Sequence, residues 1–354
     1  MKKRAATLAA GVAISIATLY LAFRNVPFRE LVAYMRTIRY LWVIPSAAAV
    51  ALSFLLRALR WQIILTAANR PVSFWQAFHP LMIGFMLNCV APGRIGEVAR
   101  PIVLQKKEAV PFTTGLATVA AERLFDVMLL IVFFSTVMTV VDIDPDISLK
   151  FGGHTLNRSA LEAVFSGMVT ISLVLIAGII AVSLSVTRMY IIRLLDKLPG
   201  LFFFTGFSFR NQIRQHIIVP LIRMVENIAG GFSLIRFPRS IFLCLALSLL
   251  IWLLSALSYY LMMLGSPGIG LSFSEISTVM IIVCFFIALP SAPGFWGLWE
   301  AGGVFALSLF GVSSTDAAGF TLANHAVQMF PVILVGWVSA LVTGIDIRRI
   351  SEKT

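Results

Sequence analysis

Apolar residues run in long blocks along this chain, and polar residues gather in short intervals between them. The blocks fall at 5–23, 41–65, 111–141, 161–186, 241–264 and 317–345. Each is of the length that crosses a hydrocarbon core of about 30 Å, roughly 20 residues of helix. Two further stretches, 72–103 and 273–311, are apolar but interrupted, by Pro92-Gly93 in the first and Pro293-Gly294 in the second. Proline removes a backbone donor and glycine frees the backbone, so each pair predicts a break between two short helices. The pattern therefore predicts an all-α polytopic membrane protein with six transmembrane helices and two re-entrant helical hairpins.

Composition agrees with the pattern. Hydrophobic residues make up 59%, charged residues only 12%, and the mean hydropathy is +0.94, beyond the range of a soluble domain of 354 residues. No polar stretch is long enough to form a soluble domain. The chain divides into an N-terminal helix and loop (1–40), a first unit (41–141), a linking helix with a basic segment (142–240), a second unit (241–345) and a tail (346–354). The apolar run after the opening MKKR has no small-residue cleavage site behind it, so it is expected to stay as a helix.

The net charge of +12 matters through its placement, and it does not call for nucleic acid as a partner. Residues 188–239 hold Arg188, Arg193, Lys197, Arg210, Arg214, Arg223, Arg236 and Arg239 against Asp196 and Glu226. The positive-inside tendency puts this segment in the cytoplasm, where its alternation of apolar and basic residues suits a helix lying on anionic lipid. Asp142, Asp144 and Asp146 follow the block at 111–141 and belong outside. Basic residues at both ends, including Arg348, Arg349 and Lys353, place both termini inside. Arg24, Arg29, Arg36 and Arg39 dissent, since they would lie outside in this scheme. The scheme also requires each broken stretch to return to the side it came from.

The two broken stretches resemble each other. APGRIGE at 91–97 and APGFWGL at 292–298 share A-P-G-x-x-G, 201 positions apart, so that Gly93 and Gly96 correspond to Gly294 and Gly297. At the same offset the block 41–65 falls on the one beginning near 241, and 111–141 falls on the last. Helix, hairpin, helix thus occurs twice with opposite orientation. Inverted repeats with interrupted helices are the architecture of carriers whose site lies near the midplane between the repeats. Irregular backbone at that depth must be buried in protein or line a wet cavity, because its free polar groups cannot face lipid.

A charge at the bilayer centre costs about 3 kcal/mol or more, so charges there have a reason. Arg94, Glu97 and Arg100 are spaced i, i+3, i+6 and share one face if helix resumes after Gly93. In the next block AAERLFD places Glu122 and Asp126 one turn apart, with Arg123 able to pair with Asp126. The guanidinium groups of Arg94 and Arg123 match the oxygen pair of a phosphate. Glu97, Glu122 and Asp126 fit equally a network that pins the first hairpin to the following helix. Glu300 is the only acid between the second break and position 311, and His325 on the last block is either a proton carrier or a hydrogen-bonded packing residue. Trp296 and Trp299 fit an interfacial aromatic belt. Cys89, Cys244 and Cys284 lack metal-ligand spacing, and no nucleotide, zinc-protease or serine-hydrolase motif occurs, so neither metal nor cofactor is expected and no catalytic set is assigned.

Three motifs carry a resemblance: N-x-x-x-P-x-R-x-G-E-x-x-R from Asn88 to Arg100, E-R-x-x-D from Glu122 to Asp126, and P-x-x-P-G-x-x-G-x-x-E from Pro290 to Glu300. Together they resemble the transmembrane, flippase-like region of lysylphosphatidylglycerol synthases, which also occurs in stand-alone proteins of the UPF0104 type. The resemblance implies a bacterial or archaeal cytoplasmic-membrane protein that moves a lipid, with Arg94, Glu97, Arg100, Glu122, Arg123 and Asp126 at the matching positions. The full-length synthases add a soluble aminoacyl-transferase domain, whereas this chain stops nine residues after its last block, so aminoacyl transfer is not expected.

The leading expectation is translocation of a lipid with an anionic, phosphate-bearing head group. Asn88, Arg94, Glu97, Arg100 and Arg123 would contact substrate, and Glu122, Asp126, Glu300 and His325 would couple or brace. The alternative is an enzyme or enzyme subunit that presents a lipid for head-group or sugar transfer beside a partner enzyme of lipid or glycolipid synthesis. A third class is a scaffold whose charges only hold the fold.

Overall fold

The computed structural model describes residues 13, 15–20, 22–24, 26–91, 94–140, 149–151, 154–156, 166–167, 170, 173–174, 177, 181, 184–198, 211–222, 225–226, 237–288 and 292–346. Pro92 and Gly93 of the first break lie outside these residues, as do Asp142, Asp144, Asp146, Arg210, Arg223, Arg236, most of 161–186 and both ends of the chain.

The described chain is helical apart from one short antiparallel pair of strands, β1 (Leu149–Phe151) and β2 (His154–Leu156). Helix α1 (Phe28–Thr37) exposes Arg29 and Arg36 and buries Tyr34, whose hydroxyl donates to the Pro267 carbonyl at 3.0 Å. A tight turn at Tyr40–Trp42 leads into α2 (Val43–Ala67). The first broken stretch becomes α3 (Phe74–Val90) and α4 (Gly96–Glu108), followed by α5 (Phe112–Val140). Helix α6 (Ser185–Lys197) precedes α7 (Pro238–Leu264). The second broken stretch becomes α8 (Phe273–Ala288), a tight turn at Pro293–Phe295 and α9 (Leu298–Ser308), and α10 (Ser314–Thr343) follows.

Local sequence explains the ends. Ser73 and Gln76 form a capping box that starts α3, with the Gln76 side chain accepting from the Ser73 N–H at 2.6 Å. Ser313 accepts from the Asp316 N–H to start α10, and Gly344 ends it at φ 62°. Three helical stretches, Tyr40–Ala67, Pro238–Leu264 and Ser314–Thr343, are long and apolar enough to cross a bilayer. Helix α5 has 29 residues but carries Glu122, Arg123 and Asp126 in its first half.

Helices α3 and α4 lie side by side with their ends matched. Gln76, near the start of α3, donates to Glu108 at the end of α4 at 2.5 Å. Asn88, near the end of α3, accepts from the Gly96 N–H at the start of α4 at 2.9 Å. Glycine allows the approach, since a Cβ on Gly96 would run into the Gly84 carbonyl and the Asn88 side chain. Helices α8 and α9 pack on each other in the same way, with Gly302 against Phe286.

Helix contacts come in corresponding pairs. As α2 packs on α3, so α7 packs on α8; as α4 packs on α5, so α9 packs on α10. Across the molecule α3 packs on α10 as α8 packs on α5, and α2 on α10 as α7 on α5. Helices α2 and α7 meet each other directly. Ser46 donates to the Ser258 carbonyl at 2.8 Å and Arg60 to the Ser248 hydroxyl at 2.6 Å, so α2 and α7 cross antiparallel. The interior holds both apolar clusters, such as Trp61, Leu65 and Leu81, and buried charges, among them Arg60, Arg100, Glu122 and Glu300. The exterior is apolar, with Leu52, Leu55, Phe242, Leu250, Leu334, Trp337 and Leu341 exposed. Charges inside and an extended apolar exterior are the arrangement a protein takes in lipid, where an exposed leucine loses nothing and an exposed charge is costly.

Candidate functional site

A cavity of about 240 Å³ opens where the two sets of helices meet. The first set contributes Ser53, Phe54 and Arg57 from α2, Phe85, Asn88 and Cys89 from α3, Arg94 and Glu97 from the break and the start of α4, and Arg123 from α5. The second contributes Trp252, Ser255 and Tyr259 from α7, Met280, Cys284 and Ile287 from α8, Gly294, Phe295 and Trp299 after the second break, and His325, Gln328, Met329 and Val332 from α10.

The charges form two tiers. In the deep tier, Arg60 donates to Asp126 at 2.7 Å and to Glu122 at 3.5 Å, and Arg100 donates to Glu122 at 2.5 Å while its guanidinium lies 4.2 Å from the centre of the Trp61 ring. Arg60 and Arg100 are 0% and 1% exposed, so both guanidinium groups are buried. In the cavity tier, Arg123 pairs with Glu97 at 3.6 Å and with Asp126 at 3.3 Å, and Arg57 approaches Asp126 at 4.0 Å. The Nε of Arg57 and the Nη2 of Arg123 are buried donors without an acceptor. The Phe85 ring centre stands 5.8 Å from the guanidinium groups of Arg57, Arg100 and Arg123, so its face is shared among three cations.

Arg94 belongs to neither helix. The expectation that helix resumes directly after Gly93 is corrected: α4 begins at Gly96, and Arg94 sits in the turn before it at φ 53°. Freed from the helix, its side chain crosses the cavity to donate to the Ile287 carbonyl near the end of α8 and lies 5.5 Å from the Phe295 ring centre. The tips of the two broken stretches thus touch, and Gly294 packs against the Cys89 carbonyl. Arg100 does not share a face with Arg94. It turns away from the cavity toward Trp61 and Glu122, so the structure moves it from the expected substrate contacts to the deep tier.

At the second break, Gly294 and Gly297 take φ of 70° and 89°, a region that favours glycine. Glu300 accepts from the Gly297 N–H at 2.7 Å and faces His325 Nδ1 at 2.6 Å. His325 Nε2 lies 2.9 Å from the Gly294 carbonyl. Trp299 stacks on the imidazole at 4.5 Å and Trp296 leans on it at 4.6 Å, so both partly buried tryptophans pack on His325. His325 thus packs, bonds at both nitrogens and faces the cavity.

Of the expected site residues, Asn88, Arg94, Glu97, Arg123, His325 and Gly294 line the cavity. Glu122, Asp126 and Arg100 form the layer behind it, and Glu300 reaches it through His325. Gly96, Pro293 and Gly297 shape the breaks. Sequence reasoning missed Arg57 and Arg60. Both interrupt the apolar block 41–65, and the cost of a charge in a span was the signal that pointed to them. Among the described residues no cluster of histidine, cysteine, aspartate or glutamate could hold a metal.

Comparison with known proteins agrees with this architecture. A protein named glycosyltransferase AglD from Haloferax volcanii is 23% identical over 99% of this chain, and the chain spans 57% of that relative's length. A UPF0104 membrane protein of Methanothermobacter thermautotrophicus is 26% identical over 81% of this chain and 82% of its own. One from Pyrococcus horikoshii is 24% identical over 82% of this chain and 83% of its own. No solved structure matches. The model of the lysylphosphatidylglycerol synthase transmembrane region matches residues 8–336, and this chain, a multi-pass membrane protein, belongs to that family.

Proposed function

We propose that this protein translocates a lipid with an anionic, phosphate-bearing head group across the cytoplasmic membrane. The observation that carries the reading is the cavity between the two sets of helices, where Arg57, Arg94 and Arg123 face one lining carboxylate, Glu97. A guanidinium fork donates two parallel charge-assisted bonds to a phosphate, so the head group gains in the cavity what it loses by leaving water. The acyl or polyprenyl chains stay in the bilayer, against the apolar exterior.

In this reading α2–α5 and α7–α10 are the two halves of an inverted repeat. The corresponding contacts and the antiparallel crossing of α2 and α7 support it, since corresponding elements of an inverted pair run in opposite directions. The matched ends of α3 and α4 support a re-entrant hairpin, and six spans would put both termini on one side, which the basic ends favour as the cytoplasmic one.

The test is lipid exchange between leaflets of proteoliposomes without nucleotide. An anionic phospholipid or polyprenyl phosphate should exchange faster than in empty liposomes. Arg94→Gln and Arg123→Gln should each lower that rate at least about tenfold, the factor lost with one charge-assisted hydrogen bond. Absence of exchange for every lipid in the panel, with and without a proton gradient, refutes the reading. A second reading, presentation of a lipid for sugar transfer, is favoured by the name of the Haloferax relative, a glycosyltransferase. It predicts that loss of the chain abolishes a glycosyl-transfer step in membranes while leaflet exchange stays at the empty-liposome rate.

A further inference from the structure

The charges around the cavity do not balance. The two tiers together hold Arg57, Arg60, Arg94, Arg100 and Arg123 against Glu97, Glu122 and Asp126, five cations to three anions. The deep tier is neutral, since Arg60 and Arg100 face Glu122 and Asp126. The surplus of two therefore falls on the cavity, where Arg57, Arg94 and Arg123 share Glu97.

The remaining titratable groups on the wall do not change this count. His325 Nε2 lies 2.9 Å from the Gly294 carbonyl and Nδ1 2.6 Å from Glu300, so the histidine and the carboxyl answer each other and not the arginines. Cys89 and Cys284 are free thiols on the same wall.

Three guanidinium groups beside one lining carboxylate leave the cavity cationic, which favours an anion there. Arg57 Nε and Arg123 Nε and Nη2 are among the buried atoms without a hydrogen-bond partner, as are Glu97 Oε2 and Asp126 Oδ2; the two arginines stand on neighbouring helices on one side of the cavity, with Arg94 reaching over it from the break. The volume of about 240 Å³ leaves ample room for a phosphate group.

Resting on the reading above, we propose that the preferred substrate is a lipid phosphate monoester, whose terminal phosphate carries two negative charges, in preference to a phosphodiester, which carries one. One of the monoester's oxygens would accept from Arg57 and Arg123, another from Arg94, and the cavity would become neutral. A phosphodiester leaves one guanidinium uncompensated.

The test is binding, read separately from transport. The full chain in detergent micelles is titrated with phosphatidic acid, phosphatidylglycerol of the same acyl chains, and a polyprenyl monophosphate. Tryptophan fluorescence is the readout, since Trp252 and Trp299 stand in the wall. At pH 8 both monoesters should bind at least about tenfold more tightly than phosphatidylglycerol, the factor one additional charge-assisted hydrogen bond supplies. The second proton of a phosphate monoester leaves near pH 6, so the advantage should shrink toward unity at pH 5. Phosphatidylglycerol keeps its single charge throughout and reports any titration of the wall itself. Arg57→Gln should narrow the ratio at pH 8, and Arg57→Lys, which keeps the charge, should retain most of it.

Equal affinity for phosphatidic acid and phosphatidylglycerol at pH 8, or a ratio that ignores pH, overturns the proposal. If Arg57→Gln does not fold, the pH dependence of the unaltered protein still decides. A preference for one monoester over the other supports the proposal and identifies the tail. Selective binding of monoesters without leaflet exchange upholds this inference and refutes the carrier reading. Leaflet exchange with phosphatidylglycerol bound as tightly as phosphatidic acid does the reverse.

Discussion

Replacing Glu122 by glutamine keeps the shape of the deep tier and removes one charge, which makes the cost of that charge measurable. Glu122 takes Arg100 at 2.5 Å and Arg60 at 3.5 Å. Arg60 retains Asp126 at 2.7 Å after the change, but Arg100 keeps no carboxylate within reach among the described residues. A buried charge stripped of its partner costs about 3–5 kcal/mol. The Trp61 face, 4.2 Å from the guanidinium, offsets roughly 1–2 kcal/mol of this. The net loss expected for Glu122→Gln is therefore about 2–3 kcal/mol, and Arg100→Met should cost a similar amount by leaving Glu122 with only its longer contact to Arg60. The double variant carries neither charge and should recover part of both losses, falling short of additivity by roughly 1.5 kcal/mol or more. Unfolding of the purified protein in mixed micelles, followed by circular dichroism, gives all four corners of this cycle. Losses that add to within about 0.5 kcal/mol would mean that the two side chains do not interact, and the deep tier would have to be abandoned.

The tiers also predict a division along α2: Arg60→Gln should lower the unfolding temperature markedly, whereas Arg57→Gln should leave it nearly unchanged and instead depress lipid exchange, and the opposite ranking would contradict the placement of the two arginines. Gly96→Ala should destabilise the hairpin through contact with the Gly84 carbonyl and Asn88, read as a lower midpoint of thermal unfolding; a neutral outcome would show that α3 and α4 are not packed so closely. His325→Ala leaves Glu300 buried without its partner and should cost about 3 kcal/mol, while combining it with Glu300→Gln should restore stability in part. In a cysteine-free background, single cysteines at Asp144 and Gly268 should react with an impermeant thiol reagent added outside intact cells, and those at Asn211 and Lys353 should not. Labelling at position 211 would invert the proposed orientation.

What the sequence reveals is set by the range of the interactions concerned. The two breaks were legible because proline and glycine act on their own backbone, and the deep residues Glu122 and Asp126 because a charge in an apolar run is visible without a partner. The face shared by Arg94 and Arg100 was not legible. It assumed a helix start two residues before Gly96, and capping by Asn88 from the neighbouring helix, eight positions away, decides where α4 begins. Arg57 and Arg60 were overlooked because α2 reads as a span with ample apolar length on either side of them. The stacking of Trp299 on His325 joins residues on two helices and could not be distinguished from an interfacial belt by residue type. The recurrence of A-P-G-x-x-G placed both tips, but their meeting through Arg94 and Ile287 depends on the packing of the whole molecule.

The bonds between α2 and α7 bear on how such a device can move. Arg60 joins Asp126 on α5 to Ser248 on α7, and Ser46 joins α2 to α7 again, 14 residues or about 21 Å away along the helix. Tilting one half against the other at this crossing would break a charge-assisted bond with no water at hand to replace it. Helices α2, α5 and α7 therefore form a stator, fastened from within. The bond from Arg94 to Ile287, by contrast, ties two loop tips at the edge of a cavity, where a phosphate oxygen can take the carbonyl's place. If the protein carries lipid as proposed, the working stroke would belong to the tips, parting around a fixed post as the ligand replaces the carbonyl at Arg94.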